Sequence, residues 1–330
     1  MFNDTLDVVG VGNAIVDVIA SADDAFLAEY GMTKGSMMLI DEPRAEAIYA
    51  AMGAAVVTSG GSAANTIAGI AALGGKTGFI GRVREDALGA EFRHDITAAG
   101  AAFPTPSAKD GAATARCLIL VTPDSQRTMN TFLGACADLG ADDIDAALVG
   151  RARVTYLEGY LYDAPSAKNA FHRAAEIAHA ARRKVALTLS DPFCVNRHRS
   201  DFLRLVERHV DVLFANEAEI TALFETSSLD AAIAQLRRLT ELAVVTRGPG
   251  GSIVVTQDDT IAIAAVADVP IVDTTGAGDL YAAGFLFGLT RDAPLHECGR
   301  LGSRAAAEVI GHFGARPQSD LRLLLTQSSG

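Results

Sequence analysis

The sequence of 330 residues contains no tryptophan, four cysteines, and no apolar run near the length of about 20 residues that a membrane-spanning helix requires. The cysteines are Cys117, Cys136, Cys194 and Cys298, and their spacing is not that of metal ligands, which indicates buried thiols in a reducing compartment. The amino-terminal segment carries acids where a secretory signal peptide needs basic residues. We therefore expect a cytoplasmic protein with no membrane partner.

Blocks of positive charge are also absent, and the formal net charge is -12. Because binding to the phosphate backbone of a nucleic acid needs a basic surface, this balance excludes nucleic acid as an expected partner and favours a small-molecule ligand. Hydrophobic residues make up 49% of the chain, which is enough to build a sizeable core.

Two common nucleotide-binding patterns are missing. The Walker pattern GxxxxGK[ST] does not occur. The dinucleotide pattern GxGxxG begins at Gly10 and Gly12 but has Ile15 at its third glycine position. The sequence therefore disfavours a P-loop protein and an oxidoreductase that uses NAD.

Short apolar runs alternate with amphipathic helical patterns in the second half of the chain. This alternation predicts an α/β fold with three layers, in which a mostly parallel sheet lies between two layers of helices. The strand-like runs cover residues 154–157, 185–189, 212–214, 243–246 and 252–256.

Two strand-rich regions, residues 13–41 and 111–132, do not fit this alternation. They predict a small β-sheet that acts as a lid, with a turn at Pro123-Asp124-Ser125 in the second region. The large α/β domain is then expected to comprise about residues 1–12, 42–110 and 133–330. The last four residues, 327–330, are expected to fray.

The most informative segment is Asp273-Thr274-Thr275-Gly276-Ala277-Gly278-Asp279, which lies between a strand-like run at residues 269–272 and an apolar helical pattern. Small residues at the start of a helix let backbone N–H groups approach an anion, and the helix dipole favours negative charge there. A carboxylate at this place can accept the proton of a hydroxyl group that attacks a phosphoryl group. An acid that only caps the helix is the alternative, but a cap does not require three consecutive small residues.

This segment and its helix resemble the C-terminal signature of the ribokinase-like (PfkB) carbohydrate kinase family, and the resemblance extends along the whole chain. It implies a ribokinase-like fold and ATP as the phosphoryl donor. Asp279 is then the catalytic base, and Gly276, Ala277 and Gly278 form the anion hole. The segments GNAIVDV, KGSMMLID, GGSAANT and LSDPF are most similar to the adenosine kinase branch, which implies phosphorylation of the 5'-hydroxymethyl group of a nucleoside.

The resemblance also implies cofactor sites. Asn216 and Glu219 match the NxxE motif that organises Mg²⁺ and its waters, although for the segment taken alone an acidic helix start is the preferred explanation. Asp273 and Thr275 match positions near a monovalent-cation site, so K⁺ is a further hypothesis. The ATP phosphates are expected at a glycine-rich turn, for which a plain hairpin turn is the alternative. Its residues are Thr246, Arg247, Gly248 and Gly251.

The expected substrate residues lie in the first two thirds of the chain. By resemblance, one group binds the sugar, Phe193 stacks on a base beside the apolar Met37 and Met129, and Arg127 moves onto the phosphates when the lid closes. Asp191 replaces the alanine expected within LSDPF, which leaves the preferred base open. The sugar-binding group is Asn13, Asp17, Gly60, Gly61, Ser62 and Asn65.

Three alternatives remain open from the sequence. The substrate is a nucleoside such as adenosine, or it is a free sugar such as ribose or fructose. A protein that binds a nucleoside or sugar without turnover is a third possibility, although the intact phosphoryl-transfer motif argues against it. The chain is either a monomer or a homodimer formed through the lid.

Overall fold

The computed structural model describes residues 5–124 and 126–326, so Ser125 of the predicted turn and the predicted frayed end at residues 327–330 lie outside the described residues. The strands are β1 (Leu6–Val11), β2 (Ile15–Ser21), β3 (Met37–Leu39), β4 (Ala55–Ser59), β5 (Thr77–Ile80), β6 (Ala101–Ala102), β7 (Ala115–Val121), β8 (Arg127–Phe132), β9 (Ala152–Glu158), β10 (Lys184–Thr188), β11 (Val212–Asn216), β12 (Leu242–Thr246), β13 (Ser252–Thr256) and β14 (Thr260–Ile263).

The α-helices alternate with these strands through most of the chain. They are α1 (Asp24–Glu29), α2 (Glu42–Ala51), α3 (Ser62–Ala72), α4 (Ala87–Ala98), α5 (Ala146–Arg151), α6 (Pro165–Ala180), α7 (Pro192–His209), α8 (Glu217–Leu223), α9 (Leu229–Leu239), α10 (Ala277–Leu289), α11 (Leu295–Ile310) and α12 (Leu323–Thr326). Among the described residues, none of these helices is long and apolar enough to cross a membrane.

A nine-stranded sheet forms the centre of the large domain, in the order β14-β13-β12-β11-β10-β9-β1-β5-β6. The strands from β12 to β6 are parallel, and β13 and β14 are antiparallel. Successive side chains of a strand point to opposite faces, so Val8 of β1 belongs to one core and Val9 to the other. Helices cover both faces, which confirms the predicted three-layer α/β fold.

A five-stranded sheet, in the order β3-β8-β7-β2-β4, forms the second and smaller part. Strands β2, β3, β7 and β8 come from the two regions that the sequence assigned to the lid. Strand β4 does not, because it lies within residues 42–110, which the sequence analysis placed in the large domain. Its Val56 is 67% exposed. Sequence periodicity did not reveal it, since an edge strand of a small sheet buries little apolar surface.

The prediction of a strand at residues 269–272 is wrong. Pro270 has no backbone N–H to give to a sheet, and the segment lies against the end of α11 instead. The N–H group of Val272 donates to the Ile310 carbonyl at 2.8 Å, and that of Asp273 donates to the same oxygen at 3.3 Å. The Asp273 motif therefore follows a loop that is held by α11.

Candidate active site

The carboxyl ends of the parallel strands meet at one edge of the large sheet, and most of the predicted site lies there. Glu158 ends β9, Asn216 ends β11 and Thr246 ends β12, and Asn216 and Thr246 are direct register partners. Open α/β sheets bind ligands in the crevice outside these strand ends. The topology thus brings together side chains that are far apart in the sequence.

The predicted base, Asp279, lies in the first turn of α10 and faces the start of α3. Ser62 Oγ donates to Asp279 Oδ1 at 2.6 Å, and Asn65 Nδ2 donates to Asp279 Oδ2 at 3.0 Å. Thr66 Oγ1 adds a bond to the backbone carbonyl of Asp279 at 3.1 Å. The structure therefore joins the C-terminal motif to the Gly-Gly-Ser segment, and both oxygens of the carboxylate are oriented.

Small residues make this approach of the two helices possible. A Cβ atom on Gly69 of α3 would lie 2.7 Å from Leu280 Cδ1 and 2.8 Å from Ala283 Cβ, both on α10. The backbones therefore pack closely behind the site. This close contact explains why α3 is rich in alanine and why α10 is apolar.

A second buried carboxylate, Asp17 of β2, lies within electrostatic range of Asp279. Desolvation raises the pKa of both groups to about 6, although the bonds from Ser62 and Asn65 act to lower that of Asp279. A Cβ atom on Gly60 would lie 2.5 Å from Asp17 Oδ2, so only glycine fits against this carboxylate. The result is a pair of acids, one held by hydrogen bonds and one facing the Gly60 backbone.

The predicted anion hole starts with a left-handed residue. Gly276 has φ 79°, and a Cβ atom on it would lie 2.7 Å from Ala315 Cα. The Ala277 N–H donates to the Thr274 carbonyl at 3.2 Å, and α10 begins there. Gly278 lies one residue on, and a Cβ atom there would meet nothing within 4 Å. The first turn of a helix leaves N–H groups without intrahelical partners, so this open space has the form of an anion site.

Arg127 of the small sheet reaches the same motif. Its Nη1 donates to Asp273 Oδ2 and to Thr275 Oγ1, both at 2.6 Å. Burial acts to raise the pKa of Asp273, but hydrogen bonds from Thr275 and Gly314 together with the Arg127 charge hold that pKa below its usual value. Asp273 thus already accepts four hydrogen bonds, and a guanidinium lies where the K⁺ hypothesis places a cation. These two side chains do not fit K⁺ in this arrangement.

Asn216 and Glu219 form a reciprocal cap at the start of α8. Asn216 Nδ2 donates to Glu219 Oε1 at 2.6 Å, and the Glu219 N–H donates to Asn216 Oδ1 at 2.9 Å. Glu219 is only 4% exposed, and desolvation raises its pKa to about 7, with a further contribution from the charge of Asp191. The interpretation of these residues as the start of a helix is therefore confirmed.

The same residues also fit a hydrated Mg²⁺. Burial raises the pKa of the Tyr160 hydroxyl, and the charges of Asp191, Glu219 and Asp279 raise it further, so these carboxylates are within electrostatic range of one group. A cation among these acids would relieve their repulsion. No group of three or more His, Cys, Asp or Glu residues in the described ranges is arranged to hold a metal directly. Magnesium often keeps several waters and is bound through few carboxylates and the substrate phosphates.

The glycine-rich turn between β12 and β13 confirms the hairpin alternative and leaves room for the functional one. Gly248 and Gly251 have φ 54° and 77°, and a Cβ atom on Gly251 would lie 2.1 Å from the Ile263 carbonyl oxygen. Arg247 pairs with Glu217 at 3.7 Å and is partly exposed. Thr246 lies beside Asn216, so the turn adjoins the predicted magnesium site.

Comparison with known proteins identifies the chain. The family model described as "pfkB family carbohydrate kinase" matches residues 32–321. This chain belongs to the pfkB family. Among solved structures, an adenosine kinase from Sinorhizobium meliloti is 50% identical with a TM-score of 0.92, and the alignment covers 98% of this chain and 100% of that one. A probable sugar kinase from Rhizobium etli is 45% identical with a TM-score of 0.92, and the alignment covers 98% of each chain.

A relative of lower identity is also an adenosine kinase. The adenosine kinase of Saccharomyces cerevisiae is 28% identical over 333 residues, which is 94% of this chain and 96% of the yeast protein. As a pfkB family kinase, the chain is a phosphotransferase that acts on a hydroxyl group.

The predicted base-binding residues come from three elements of the fold, β3, β8 and α7. Met37 of β3 and Met129 of β8 are register partners in the small sheet. Phe193 lies in the first turn of α7 and is 75% exposed, so the described residues leave most of its side chain open. Its stacking on a base stays a prediction, because a partner for the ring would have to come from a ligand.

Glu158 is a residue of the site that the sequence analysis missed. Its side chain is 1% exposed and accepts hydrogen bonds from Asn13 Nδ2 at 2.6 Å and from the Ala63 N–H at 2.8 Å. Desolvation raises its pKa to about 7. It holds two predicted substrate segments in place. The sequence does carry a signal for Glu158, because it is a single acid at the end of an apolar strand.

The loop at residues 313–316 was also missed. The Gly314 N–H donates to Asp273 Oδ2 at 3.1 Å, Ala315 packs on Gly276, and Arg316 Nε donates to Asn65 Oδ1 at 3.5 Å. The loop therefore contacts both halves of the site. It has no sequence pattern that indicates this, because it is an irregular segment after the last long helix.

Proposed function

We propose that this protein is a nucleoside kinase that transfers the γ-phosphate of ATP to the 5'-hydroxymethyl group of adenosine. The observation that carries the proposal is Asp279, whose carboxylate is held by Ser62 and Asn65 beside the open first turn of α10. The likeness to the Sinorhizobium meliloti adenosine kinase supports the choice of substrate.

In this proposal, Asp279 accepts the proton of the 5'-hydroxyl group. The hydroxyl oxygen forms a bond to the γ-phosphorus, the bond to the β-phosphate oxygen breaks, and ADP leaves. Ser62 and Asn65 orient the base, and N–H groups at Gly276 and Gly278 stabilise the charge of the transferred group. The N–H group of Ala277, which the family resemblance also assigns to the anion hole, donates to the Thr274 carbonyl. These roles rest on the contacts described above and on the family resemblance.

The sugar is bound by the cluster that packs around Asp17. Its carboxylate suits a pair of hydroxyl groups as an acceptor. Asn13 is oriented by Glu158, and Asn65 is oriented by Asp279. Gly60 and Gly61 let the substrate approach the backbone, and Gly61 has φ 93°.

The nucleotide phosphates are proposed to lie between α10 and the turn from Thr246 to Gly251. Asn216 and Glu219 would hold the waters of Mg²⁺, which supplies positive charge to the phosphates when it is bound. Arg127 would move from Asp273 towards the phosphates when the lid closes. The homodimer through the small sheet remains an alternative to a monomer.

The test is a substrate panel with ATP and Mg²⁺ that contains adenosine, guanosine, inosine, ribose and fructose. We expect ADP formation to be fastest with adenosine. The likeness to the probable sugar kinase from Rhizobium etli supports a free sugar as the second candidate. Turnover of ribose or fructose with no turnover of any nucleoside would replace the proposal by that candidate.

A further inference from the structure

The loop at residues 313–316 ends with Arg316, which lies at the sugar side of the site. Its Nε donates to Asn65 Oδ1, while Asn65 Nδ2 donates to Asp279 Oδ2. The Asp279 carboxylate only accepts hydrogen bonds, so it holds the amide nitrogen of Asn65 on its side, and the amide oxygen is turned towards the guanidinium.

The charged neighbours of Arg316 are carboxylates from two other elements. Asp17 belongs to β2 and Asp95 to α4, and both attract the guanidinium, whereas burial lowers the pKa of Arg316. Asp95 is already bonded to the Ser59 hydroxyl at 2.6 Å. Asp17 has its own charge neighbours in Arg127, Arg316 and Asp279. Arg316 is therefore within electrostatic range of the carboxylate that is proposed to grip the sugar.

One donor of Arg316 is not used by the protein. Its Nη2 is buried and has no hydrogen-bond partner within the described part of the chain. A buried donor of this kind is costly to leave without an acceptor, and native structures seldom do so without a reason. A bound ligand oxygen beside Asp17 and Asn65 would satisfy it.

We propose that Arg316 is a specificity-determining residue that holds Asn65 through Nε and donates from Nη2 to a ring hydroxyl oxygen of the sugar. This inference rests on the proposed function, since it takes the sugar to be the ribose of a nucleoside. The hydroxyl group would donate its proton to Asp17 and accept from Arg316. A guanidinium presents Nε–H and Nη2–H in a fixed fork, which suits two oxygen acceptors side by side.

The inference predicts discrimination between ribose and deoxyribose, and the experiment compares matched ligands. Dissociation constants of adenosine, 2'-deoxyadenosine and 3'-deoxyadenosine are measured by calorimetry without ATP, for the wild type and for Arg316→Gln, Arg316→Lys and Arg322→Gln. Arg322 is the control, because it is an exposed arginine that pairs only locally with Asp320. Thermal unfolding of each variant monitors folding.

We expect Arg316→Gln to weaken adenosine binding about 10- to 100-fold, as for the loss of a charged hydrogen bond. For the deoxy analogue that lacks the bonded hydroxyl, the loss should be no more than about twofold. Arg316→Lys should not restore binding of adenosine, since an ammonium group lacks the fork. If Arg316→Gln does not fold, Arg316→Lys replaces it in the comparison of dissociation constants. Arg322→Gln should match the wild type with every ligand.

An equal loss with all three ligands, or no loss with any, would overturn the inference. Turnover is recorded separately with ATP and Mg²⁺. Wild-type protein that phosphorylates adenosine while Arg316→Gln binds every ligand normally leaves the proposed function standing and removes the role of Arg316. If the wild-type protein binds the nucleosides but phosphorylates none of them, the proposed function fails, and the binding data alone decide the role of Arg316.

Discussion

Asp279 is the residue on which the proposed chemistry depends. Asp279→Asn keeps the size of the side chain and removes the acceptor of the proton, so we expect turnover to fall roughly 10²- to 10⁴-fold with little change in unfolding temperature. The measurement is ADP release at saturating substrate. The control is Asp230→Asn, which alters a first-turn acid of α9. Turnover of Asp279→Asn close to that of the wild type would remove the assigned role.

The pH dependence of turnover is a second test at the scale of the residue. Desolvation raises the pKa of Asp279 to about 6, and the base must be ionised to accept a proton. Turnover should therefore fall as the pH decreases through about 6. Steady-state rates between pH 5 and pH 8 check this. A rate that is unchanged down to pH 5 would show that the ionised form of this group is not needed.

At the scale of the element, the turn before α10 separates a structural glycine from a functional one. Gly276→Ala places a side chain in a left-handed residue against Ala315, and the cost should be about 1–3 kcal/mol of the free energy of unfolding. Gly278→Ala meets no atom within 4 Å and should fold normally. Its methyl group instead enters the predicted anion hole, so turnover should fall.

Chemical denaturation and ADP release measure the two effects. Equal destabilisation by both substitutions would contradict the geometry of the turn. Full activity of a stable Gly278→Ala protein would mean that the open space beside α10 is not the anion hole.

The contact of Arg127 with Asp273 and Thr275 joins the small sheet to the loop before α10, and it can be tested at the scale of the whole molecule. Arg127→Gln removes a charged link between the small sheet and the phosphoryl-transfer motif. We expect slower phosphorylation and a larger share of ATP hydrolysed without transfer, because water is excluded less well. Lys34→Gln is the control, since Lys34 is a cation of the small-sheet region that pairs with Asp24 and Asp124. An unchanged ratio of hydrolysis to transfer would contradict a closing role.

Overall stability should change with pH in the direction opposite to activity. Asp17, Asp279, Glu158 and Glu219 have folded-state pKa values raised to about 6 or 7. Between their unfolded and folded pKa values the native state binds more protons, so stability increases as the pH falls. The pKa of His209 is lowered by burial, so this group makes the protein less stable as the pH falls. We expect the four carboxylates to outweigh this single histidine.

Unfolding temperatures at pH 5.5 and pH 7.5 measure the sign of this change. We expect the higher temperature at pH 5.5, where turnover is falling. A lower unfolding temperature at pH 5.5 would show that these carboxylates do not retain raised pKa values in the folded protein.

The sequence alone determined the local features of this protein. The alternation of apolar runs and amphipathic helices predicts the α/β layers, because backbone geometry fixes the two periods. Gly276 to Asp279 could be assigned to a helix start, since small residues and an acid are meaningful there without any distant partner. The same reasoning fails for residues 269–272, where Pro270 outweighs the apolar pattern, and for β4, whose edge position leaves little pattern to detect.

Only the tertiary structure decided which distant residues share the site. Contact between α3 and α10 brings Ser62 to Asp279, and the strand order brings Asn216 beside Thr246. Glu158 and Arg316 enter the site for the same reason, because burial and hydrogen bonding across long sequence separations depend on packing. No local period or propensity encodes such contacts, since their free energy arises only when the chain has folded.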